Sequence, residues 1–532
     1  MRTRAISAAA LALCATPSLF LAGGVATSAM TGADVAAILQ RHASYVGHPD
    51  GVVLTYRYVP PEKPKKVQAT PAPGDPIFPT PHLTTYRRGT LYREVDEGQG
   101  ITEQSGFTGR AFWSADYNGY TVIAYESAAR ERLTENLIDG NLLGESIPAA
   151  SRGTRTIDGT VVDVVRIEPP DGIPADIAFD RQTGAYVEIT LDPDRTFGEH
   201  DVKRIDGYVE AAPNVRVPSG FHDVVEGGGR YVLEQHAVRT VTNDDLRGPV
   251  PAATWTFAST EAVPIDIAQR SSSYSLGLPS GAVHVHASIG GHAGTFLLDS
   301  GAAGIILFHP YADGLKYTKL GRTGFIGING SGIGAQYVRL ADRIEVGKNS
   351  LDNVIVTIQD GKAFADVDGI LGYDFLAGAL VDVDLAARTI RTLDPTKMEP
   401  VVGKGAYPFT VNLATRTPEI MMKVVNASAR PTIDTGNSSW ITLSAALITS
   451  GRVVALPRIY RIFVGVDGTI AGRCSRLSSV EVGPYRYENA ETCFAGGSFG
   501  RDGGLIGFDF LRHFNWTFDY VDSKLVLTPN GK

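Results

Sequence analysis

The stretch TFLLDSGAAGIILF, residues 295–308, places a carboxylate inside an apolar run. Leu297 and Leu298 precede Asp299, and the apolar residues resume at Ile305. Such a run predicts a buried strand, where an unpaired charge costs on the order of a few kcal/mol or becomes protonated. Asp299 therefore needs a partner that the stretch itself does not contain.

A second copy of the stretch, PTIDTGNSSWITL, occupies residues 431–443. Its Asp434 follows Asp299 by 135 residues and again comes directly after apolar residues. A lone Asp-Ser/Thr-Gly tripeptide is a weak signal, because chains of this length often contain one by chance. The repetition at a fixed distance makes Asp434 the candidate partner of Asp299.

A further pair of segments repeats at the same distance. GILGYDFL at residues 369–376 returns as GLIGFDFL at residues 504–511, with five of eight positions identical. Matching apolar patterns surround both segments, so the C-terminal half of the chain is a tandem duplication. The two repeats span residues 283–395 and 418–530.

Two carboxylates held about 3 Å apart cannot both ionise, so such a pair shares one proton. The ionised member can take a proton from a trapped water while the protonated member polarises a carbonyl group. Glycine lets the backbone turn sharply after each Asp, and a small hydroxyl residue can donate a hydrogen bond to the opposite turn. The residues expected to hold the two carboxylates in this way are Ser300, Gly301, Thr435 and Gly436.

Each repeat resembles a retropepsin-type aspartic protease lobe, and the tandem pair resembles the single-chain pepsin-like enzymes. The resemblance implies two mainly β lobes related by a pseudo-twofold axis, with Asp299 and Asp434 as catalytic residues at their interface. It also implies that strands ending at Gly372 and Gly507 cross behind the catalytic turns, each followed by a short helix. The implied activity is that of an aspartic endopeptidase with a peptide or protein substrate and without a metal or cofactor.

Glycine-rich segments at residues 324–336 and 463–472 lie between the Asp turn and the later strand of each repeat. Their placement predicts two mobile flaps over the site; the alternative is two ordinary hairpins. A pepsin-like flap Tyr followed by Gly is missing, since the nearest candidate, Tyr337, comes late. The glycines predicted to act in the flaps are Gly327, Gly330, Gly332, Gly465 and Gly468.

Cysteine usage agrees with an oxidising compartment. Apart from Cys14 near the N-terminus, the chain contains only Cys474 and Cys493. A hairpin centred on residues 483–484 places these two side chains opposite each other, which predicts a disulfide. Two free buried thiols are the alternative, because a bond between neighbouring strands is geometrically demanding.

The N-terminal residues 1–29 have the pattern of a signal peptide, with two arginines, an apolar stretch and small residues before the expected cleavage site. A retained membrane anchor is the alternative. Export predicts a periplasmic or secreted protein with no membrane span after the signal is removed. The net charge of −8, without a long basic run, argues against a nucleic-acid partner.

The region 30–265 predicts an α+β domain with one large antiparallel sheet. A helical pattern runs from Thr31 to about Val46, and alternating apolar runs separated by turn residues follow it. The pattern weakly resembles the half-barrels of bacterial lipoprotein-carrier proteins, which implies an apolar ligand or a regulatory role. Beyond this domain the predicted boundaries are a linker at 266–282, the first lobe at 283–400 and the second lobe at 401–532.

Other candidate sites are weaker. His284 and His286 alternate on one predicted strand, but no Cys or Glu completes a metal-ligand set, so we expect two exposed strand histidines and no metal. A nucleophilic serine is disfavoured because no Gly-x-Ser-x-Gly segment precedes a helix. The recurring acidic residues, expected to cap helices or close turns, are Asp374, Asp384, Asp509 and Asp519.

The alternative to a protease is an envelope protein that keeps the protease-like lobes but binds a peptide or lipid without cleaving it. Such a protein has no need of two Asp residues with both following Ser/Thr-Gly pairs, and this chain retains all of them. The residues therefore favour the enzyme over the binding protein.

Overall fold

The structure is a computed structural model of the whole chain. The part described below comprises residues 32–47, 51–61, 80–124, 127–143, 146–192, 201–224, 229–270, 280–326, 332–360, 366–398, 405–413, 415–455, 459–465, 468–496, 499 and 502–531.

Among its described residues, the N-terminal domain forms one antiparallel sheet of thirteen strands with two helices, α1 (Gly32–Val46) and α2 (Ser127–Asp139). The order across the sheet is β6-β5-β4-β3-β2-β1-β13-β12-β11-β10-β9-β8-β7. The strands are β1 (Val52–Val59), β2 (His82–Arg88), β3 (Leu91–Gly98), β4 (Ile101–Phe107), β5 (Phe112–Ala115), β6 (Thr121–Ala124), β7 (Ala149–Ile157), β8 (Thr160–Ile167), β9 (Ala175–Asp180), β10 (Tyr186–Leu191), β11 (Asp201–Ala212), β12 (Val215–Asp223) and β13 (Arg230–Val238).

The apolar stripe of α1 explains why this helix packs on the sheet. Val35 and Ile38 are buried against Phe179 and Ile189 of the sheet. Val35 and Ile38 are three residues apart and therefore lie on the same side of the helix, as a helix with one apolar side requires. The helix predicted to end near Val46 is thus present, whereas its expected N-cap lies outside the described residues.

The C-terminal part holds the remaining elements in two further sheets. Its helices are α3 (Tyr373–Ala377), α4 (Ala446–Thr449) and α5 (Phe508–Leu511). Its strands are β14 (Thr254–Thr256), β15 (Val263–Arg270), β16 (Ser280–Ile289), β17 (His292–Leu298), β18 (Ile306–Phe308), β19 (Tyr317–Ile326), β20 (Gly332–Leu340), β21 (Ile344–Val346), β22 (Asn349–Asp352), β23 (Ile355–Gln359), β24 (Gly369–Leu371), β25 (Leu380–Asp384), β26 (Thr389–Leu393), β27 (Ala406–Pro408), β28 (Thr410–Val411), β29 (Pro418–Glu419), β30 (Met422–Val424), β31 (Ala427–Ala429), β32 (Thr432–Ile433), β33 (Ile441–Ser444), β34 (Ile459–Gly465), β35 (Gly468–Val482), β36 (Tyr485–Ala495), β37 (Gly504–Ile506), β38 (Phe514–Asp519) and β39 (Lys524–Pro529).

The two repeats fold alike around their Asp turns. In the first repeat β17 pairs in parallel with β24, so that Leu298 lies beside Leu371. In the second repeat β32 pairs in parallel with β37, and the equivalent residues Ile433 and Ile506 are partners. The apolar strand before each Asp is therefore buried by the later strand of its own repeat, as the shared sequence pattern predicts.

A shared sheet joins the repeats, in the order β15-β26-β25-β38-β39-β27. At its centre β25 pairs antiparallel with β38, and Asp382 is the partner of Thr517. These two residues are equivalent positions of the repeats, and the Thr517 hydroxyl donates to Asp382 Oδ1 at 2.9 Å. Equivalent residues can pair with each other only on a twofold axis, so a pseudo-twofold axis passes through this point.

The predicted fold class, mainly β with a large antiparallel sheet before two tandem lobes, is confirmed. The domain boundaries stay predictions, although β15 and β16 occupy both ends of the segment 266–282 that we expected to be a linker. The predicted signal peptide lies outside the described residues. Among the described helices, none combines the length and the apolar character that crossing a membrane requires.

Candidate active site

The two Asp turns begin in the same way. The backbone N–H of Asp299 donates to Leu371 O at 3.0 Å, and that of Asp434 donates to Ile506 O at 2.9 Å. Each Asp is thereby fixed at the end of the strand that crosses behind its turn. Both carboxylates keep partial exposure to solvent, as a site that receives a substrate requires.

Backbone N–H groups hold each carboxylate. Asp299 Oδ1 accepts from Gly301 N at 2.8 Å. Asp434 Oδ1 accepts from Gly436 N at 3.1 Å and from Asn437 N at 3.0 Å. The turns therefore fix the direction of both side chains.

The two turns face each other so closely that each glycine lies against the opposite carboxylate. A Cβ atom built on Gly301 would lie 2.6 Å from Asp434 Cγ, and one built on Gly436 would lie 2.3 Å from Asp299 Cγ. Real Cβ atoms do not approach other heavy atoms so closely, so only glycine fits at either position. The structure thus brings the two predicted catalytic residues together across the pseudo-twofold axis.

A reciprocal set of hydrogen bonds locks the turns together. The Ser300 hydroxyl donates to Ile433 O at 2.6 Å and accepts from Thr435 N at 3.2 Å. The Thr435 hydroxyl donates to Leu298 O at 2.8 Å and accepts from Ser300 N at 3.0 Å. Both side chains are fully buried, so these bonds hold the dyad without competition from water. The two lobes pair within one chain.

Gly372 and Gly507 lie directly behind the turns. A Cβ atom on Gly372 would approach Gly304 O to 2.4 Å and Ala302 O to 2.6 Å. A Cβ atom on Gly507 would approach Ser439 O to 2.2 Å. The backbone of each turn therefore rests on a glycine of its own repeat, which places these residues where the sequence predicts them.

Burial, followed by the charge of the neighbouring Asp299, raises the pKa of Asp434 well above its ordinary value. Two carboxyl groups in contact titrate as one unit, so the pair holds one proton over a wide pH range. Burial, and again the nearby Asp299, raises the pKa of Tyr520 well above the usual range. The electrostatics fit a dyad in which Asp299 and Asp434 share one proton.

The two predicted flaps are hairpins. β19 and β20 pair antiparallel, with Ile326 opposite Gly332, and β34 pairs with β35, with Gly465 opposite Gly468. Gly327 and Gly330 lie outside the described residues. The hairpins are thus present, while their action as mobile covers stays a prediction.

Tyr337 on β20 contacts the N-terminal domain. Its ring packs edge-on against Tyr117 of the N-terminal domain, with ring centres 5.1 Å apart. On the other strand of the same hairpin, Gly321 N donates to Gln99 O at 2.6 Å. The first flap hairpin is therefore held from outside by the N-terminal sheet.

The predicted disulfide between Cys474 and Cys493 is confirmed, and the two residues are partners on β35 and β36. The three potential metal-binding side chains that meet among the described residues are these two cysteines and Glu491. Because the two sulfur atoms bond to each other, this group does not have the donor set of a metal site.

One expectation about the histidines is wrong. His286 is exposed, but His284 is buried, with Nε2 3.7 Å from Asp366. The strand β16 pairs with β15 and β17 along its two edges, and Asp366 lies beside His284 at one end of the face that the two histidines share. Alternation along a strand predicts that i and i+2 share a face, yet it does not reveal what covers each end of that face.

The recurring acidic residues divide into two groups. Asp384 and Asp519 close turns as predicted, by accepting from Ala387 N at 2.8 Å and Asp522 N at 3.0 Å. Asp374 instead accepts from Ile305 N at 3.0 Å and so binds the chain that leaves the catalytic turn. The sequence predicts a helix cap or a closed turn for Asp374, and it gives no sign of this contact with the segment after Asp299.

Sequence reasoning also missed the residues of the N-terminal domain that contact the first repeat. Asp116, Tyr117 and Asn118 form the turn between β5 and β6, and all three lie against the first repeat. The dipeptide Asn118-Gly119 is a turn signal that the sequence alone shows. Their partners are more than two hundred residues away, and no local pattern indicates them.

Comparisons with known proteins agree with this geometry for one repeat. Residues 285–375 match the family model described as aspartyl protease. No curated protein matches the chain.

Two solved structures show a weak likeness. One is a LolA superfamily protein from Nitrosomonas europaea, with a TM-score of 0.29 and 11% identity over 40% of this chain and 96% of that chain. The other is a domain described as outer membrane lipoprotein-sorting from Vibrio parahaemolyticus, with a TM-score of 0.26 and 8% identity over 40% and 94%. Scores this low carry no argument about function. What the comparisons establish is that the first repeat, with Asp299 and Gly372 inside the matched segment, matches the aspartyl protease family.

Proposed function

We propose that this chain is an exported aspartic endopeptidase that acts in the periplasm or after secretion. The observation that carries the proposal is the reciprocal placement of Asp299 and Asp434, each against the glycine of the opposite turn. The aspartyl protease match of residues 285–375 supports the same class of hydrolase. A peptide substrate would lie between the dyad and the two hairpins that carry Gly332, Gly465 and Gly468.

The chemistry follows from the shared proton. Asp299 takes a proton from a water molecule, whose oxygen attacks the peptide carbonyl carbon, while Asp434 donates its proton to the carbonyl oxygen. The tetrahedral intermediate then breaks at the C–N bond. The leaving nitrogen receives a proton from the pair, and one hydroxyl of the intermediate returns its proton to the pair as the new carboxyl group forms. The pair ends the cycle with one proton, so the reaction requires neither a covalent intermediate nor a metal.

The surroundings of the dyad suit this cycle. The buried hydroxyls of Ser300 and Thr435 keep the two carboxylates in place, so little reorganisation is needed when charge moves. The hairpins can exclude bulk water once a peptide is bound, which strengthens the electrostatic interactions inside the site. Because the pair must keep one proton, cleavage should decrease as the pH rises through the raised pKa of Asp434.

The test is cleavage of a mixed peptide library by the purified protein, read by mass spectrometry between about pH 3 and about pH 7.5. The two variants are Asp299→Asn and Asp434→Asn, and the control is Asp342→Asn at an exposed carboxylate of the first repeat. We expect the cleavage rate of each dyad variant to fall by about a hundredfold to ten-thousandfold, and the control to cleave at the wild-type rate.

Cleavage that survives in both dyad variants would contradict the site. A folded wild-type protein that cleaves nothing at any pH would favour the alternative of a non-cleaving binding protein.

A further inference from the structure

The turn between β5 and β6 inserts a buried asparagine into the first repeat. Asn118 Oδ1 accepts from Ile355 N at 2.8 Å, and its Nδ2 donates to Ile355 O at 2.9 Å. The side chain thus satisfies both backbone groups of the residue that begins β23. Ala252 N, in the segment before β14, donates to Asn118 O at 2.8 Å. This is a specific docking contact with its polar groups paired.

Beside it lie two carboxyl groups, one from each domain. Asp116 and Asp374 are 4% and 0% exposed. Asp116 Oδ1 accepts from Asn118 N at 3.0 Å and from Tyr120 N at 2.9 Å. Asp374 Oδ2 accepts from Ile305 N at 3.0 Å and from the Tyr117 hydroxyl at 3.4 Å. One oxygen of each group is therefore well supplied with donors.

The other two oxygens show what the pair needs. Asp116 Oδ2 and Asp374 Oδ1 are buried, and no described residue donates a hydrogen bond of ordinary geometry to either. The polar groups next to them are the opposite carboxyl group and the Asn118 amide. Two ionised carboxylates would leave both oxygens unsatisfied and would repel each other. One proton on Asp116 Oδ2, donated to Asp374 Oδ1, gives all four oxygens a partner. The donors around each residue thus assign Asp116 as the acid and Asp374 as the carboxylate.

The pair lies directly behind the exit from the catalytic turn. A Cβ atom on Gly304 would lie 2.6 Å from Asp374 Oδ2 and 2.6 Å from the Tyr117 hydroxyl. Ile305, whose N–H binds Asp374, follows at once and leads into β18. A displacement of the pair would therefore move the segment that follows Asp299.

We propose that Asp116 and Asp374 share one proton and form a positioning pair that fastens the N-terminal sheet to the catalytic turn of the first repeat. The pair makes the N-terminal domain a structural part of the active site and not a spacer. The docking itself is independent of the proposed protease activity, and only its effect on cleavage rests on that proposal.

The charged and titratable groups around the pair come from three directions. Those of the N-terminal domain are Glu103, Tyr117 and Tyr120, those of the first repeat are Tyr337 and Tyr373, and that of the second lobe is Arg416. Among the described residues Arg416 is the cation of this group, and its Nη2 donates to Ser114 Oγ at 2.9 Å. A single cation facing three carboxyl groups does not allow all three to ionise in a buried place.

Burial, and next the Asp374 charge, raises the pKa of Asp116 well above its ordinary value, and burial also raises the pKa of Asp374. A carboxyl group whose pKa is raised in the folded state stabilises that state at low pH. The contribution is lost as the pH rises through the raised pKa. The domains should therefore dock most firmly under acidic conditions, where an aspartic dyad also holds its proton.

The test is hydrogen exchange of the full chain, followed by mass spectrometry at a series of pH values and corrected for intrinsic exchange. The informative peptides cover residues 112–124 and 299–308. In the wild type we expect protection to decrease with rising pH. In Asp116→Asn an amide donates in place of the acid proton, so protection should remain but lose this pH dependence.

Asp116→Ala removes the donor to Asp374 and should lower protection in both peptides by about tenfold to a hundredfold at acidic pH. The matched control is Asp509→Asn, which changes the equivalent carboxyl of the second repeat, where burial also raises the pKa. That variant should keep the wild-type profile in both peptides. If Asp116→Ala does not fold, the comparison of wild type with Asp116→Asn decides.

An Asp116→Asn variant with the pH dependence of the wild type would overturn the proposal, as would a folded Asp116→Ala variant with full protection. Cleavage assays add a second readout, in which kcat falls in Asp116→Ala and returns in Asp116→Asn. Because the exchange experiment needs no substrate, a chain that cleaves no peptide would reject the protease function and leave this inference standing.

Discussion

In the first repeat Asp374 is fully buried and binds the chain that leaves the Asp299 turn. In the second repeat the equivalent Asp509 is half-buried and lies 3.6 Å from Arg512. The residue is the same at both positions, but the N-terminal sheet covers only the first. A duplicated residue thus has two environments because the third domain breaks the symmetry.

The repeats also differ in the contacts that hold their equivalent strands, β36 in the second repeat and β23 in the first. The second repeat holds the Cys474–Cys493 disulfide, whereas the first contains no cysteine and receives Asn118 from the N-terminal domain instead. By contrast, the residues on the axis, Ser300 and Thr435, make matching bonds. The comparison teaches that the repeats stay alike where they contact each other and diverge where they contact the rest of the chain.

The largest effect should come from a methyl group on the axis. Gly301→Ala and Gly436→Ala each place a Cβ atom within 2.6 Å of the opposite carboxyl carbon. We expect both variants to lose about a hundredfold to ten-thousandfold in kcat/KM, because small displacements of reacting groups are costly. The control is Gly496→Ala, whose Cβ meets no atom within 4 Å. A large difference between the two variants would mean that the repeats contribute unequally.

The disulfide should have the next largest effect, and only in the second repeat. The bridge closes a loop with a sequence separation of 19 residues, so its removal by Cys474→Ser with Cys493→Ser should cost about 3 kcal/mol of unfolding free energy. Denaturant unfolding gives the total, and hydrogen exchange should place the loss in β35 and β36. Equal loss of protection in the first repeat would show that the repeats unfold as one unit.

The hydroxyls on the axis should have the smallest effect. Ser300→Ala leaves Thr435 N without its acceptor and Ile433 O without its donor, and should cost about 1–3 kcal/mol of unfolding free energy. Thr435→Val should cost a similar amount, while Thr435→Ser keeps the hydroxyl and serves as the control. The double variant should cost less than the two single variants together. Strict additivity would contradict a shared network.

Much of the site could be read from local patterns. The strand before each Asp, the glycine and hydroxyl after it, and the later strand ending in Gly372 or Gly507 all recur at one distance, and such repetition needs no structure to interpret. The cysteines could be paired because a hairpin fixes its own register. These features depend on residues that are close in sequence or on residues that recur in both repeats.

The rest depended on contacts between distant segments. Alternation along β16 could not reveal that His284 is buried, since burial depends on which strands and loops cover each end of the sheet. The turn at Asp116 and Asn118 could be recognised, but not the repeat that it binds.

The sequence by itself thus determined the two Asp turns and their pairing. The reason is that the two copies repeat the same residues at a fixed distance, and each Asp needs the other as its partner. Only the tertiary structure decided that a third domain supplies Asp116 to the back of the first turn. The physical reason is that burying a second carboxyl pair requires surfaces from both domains, and the stability of such a contact is a property of the assembled fold.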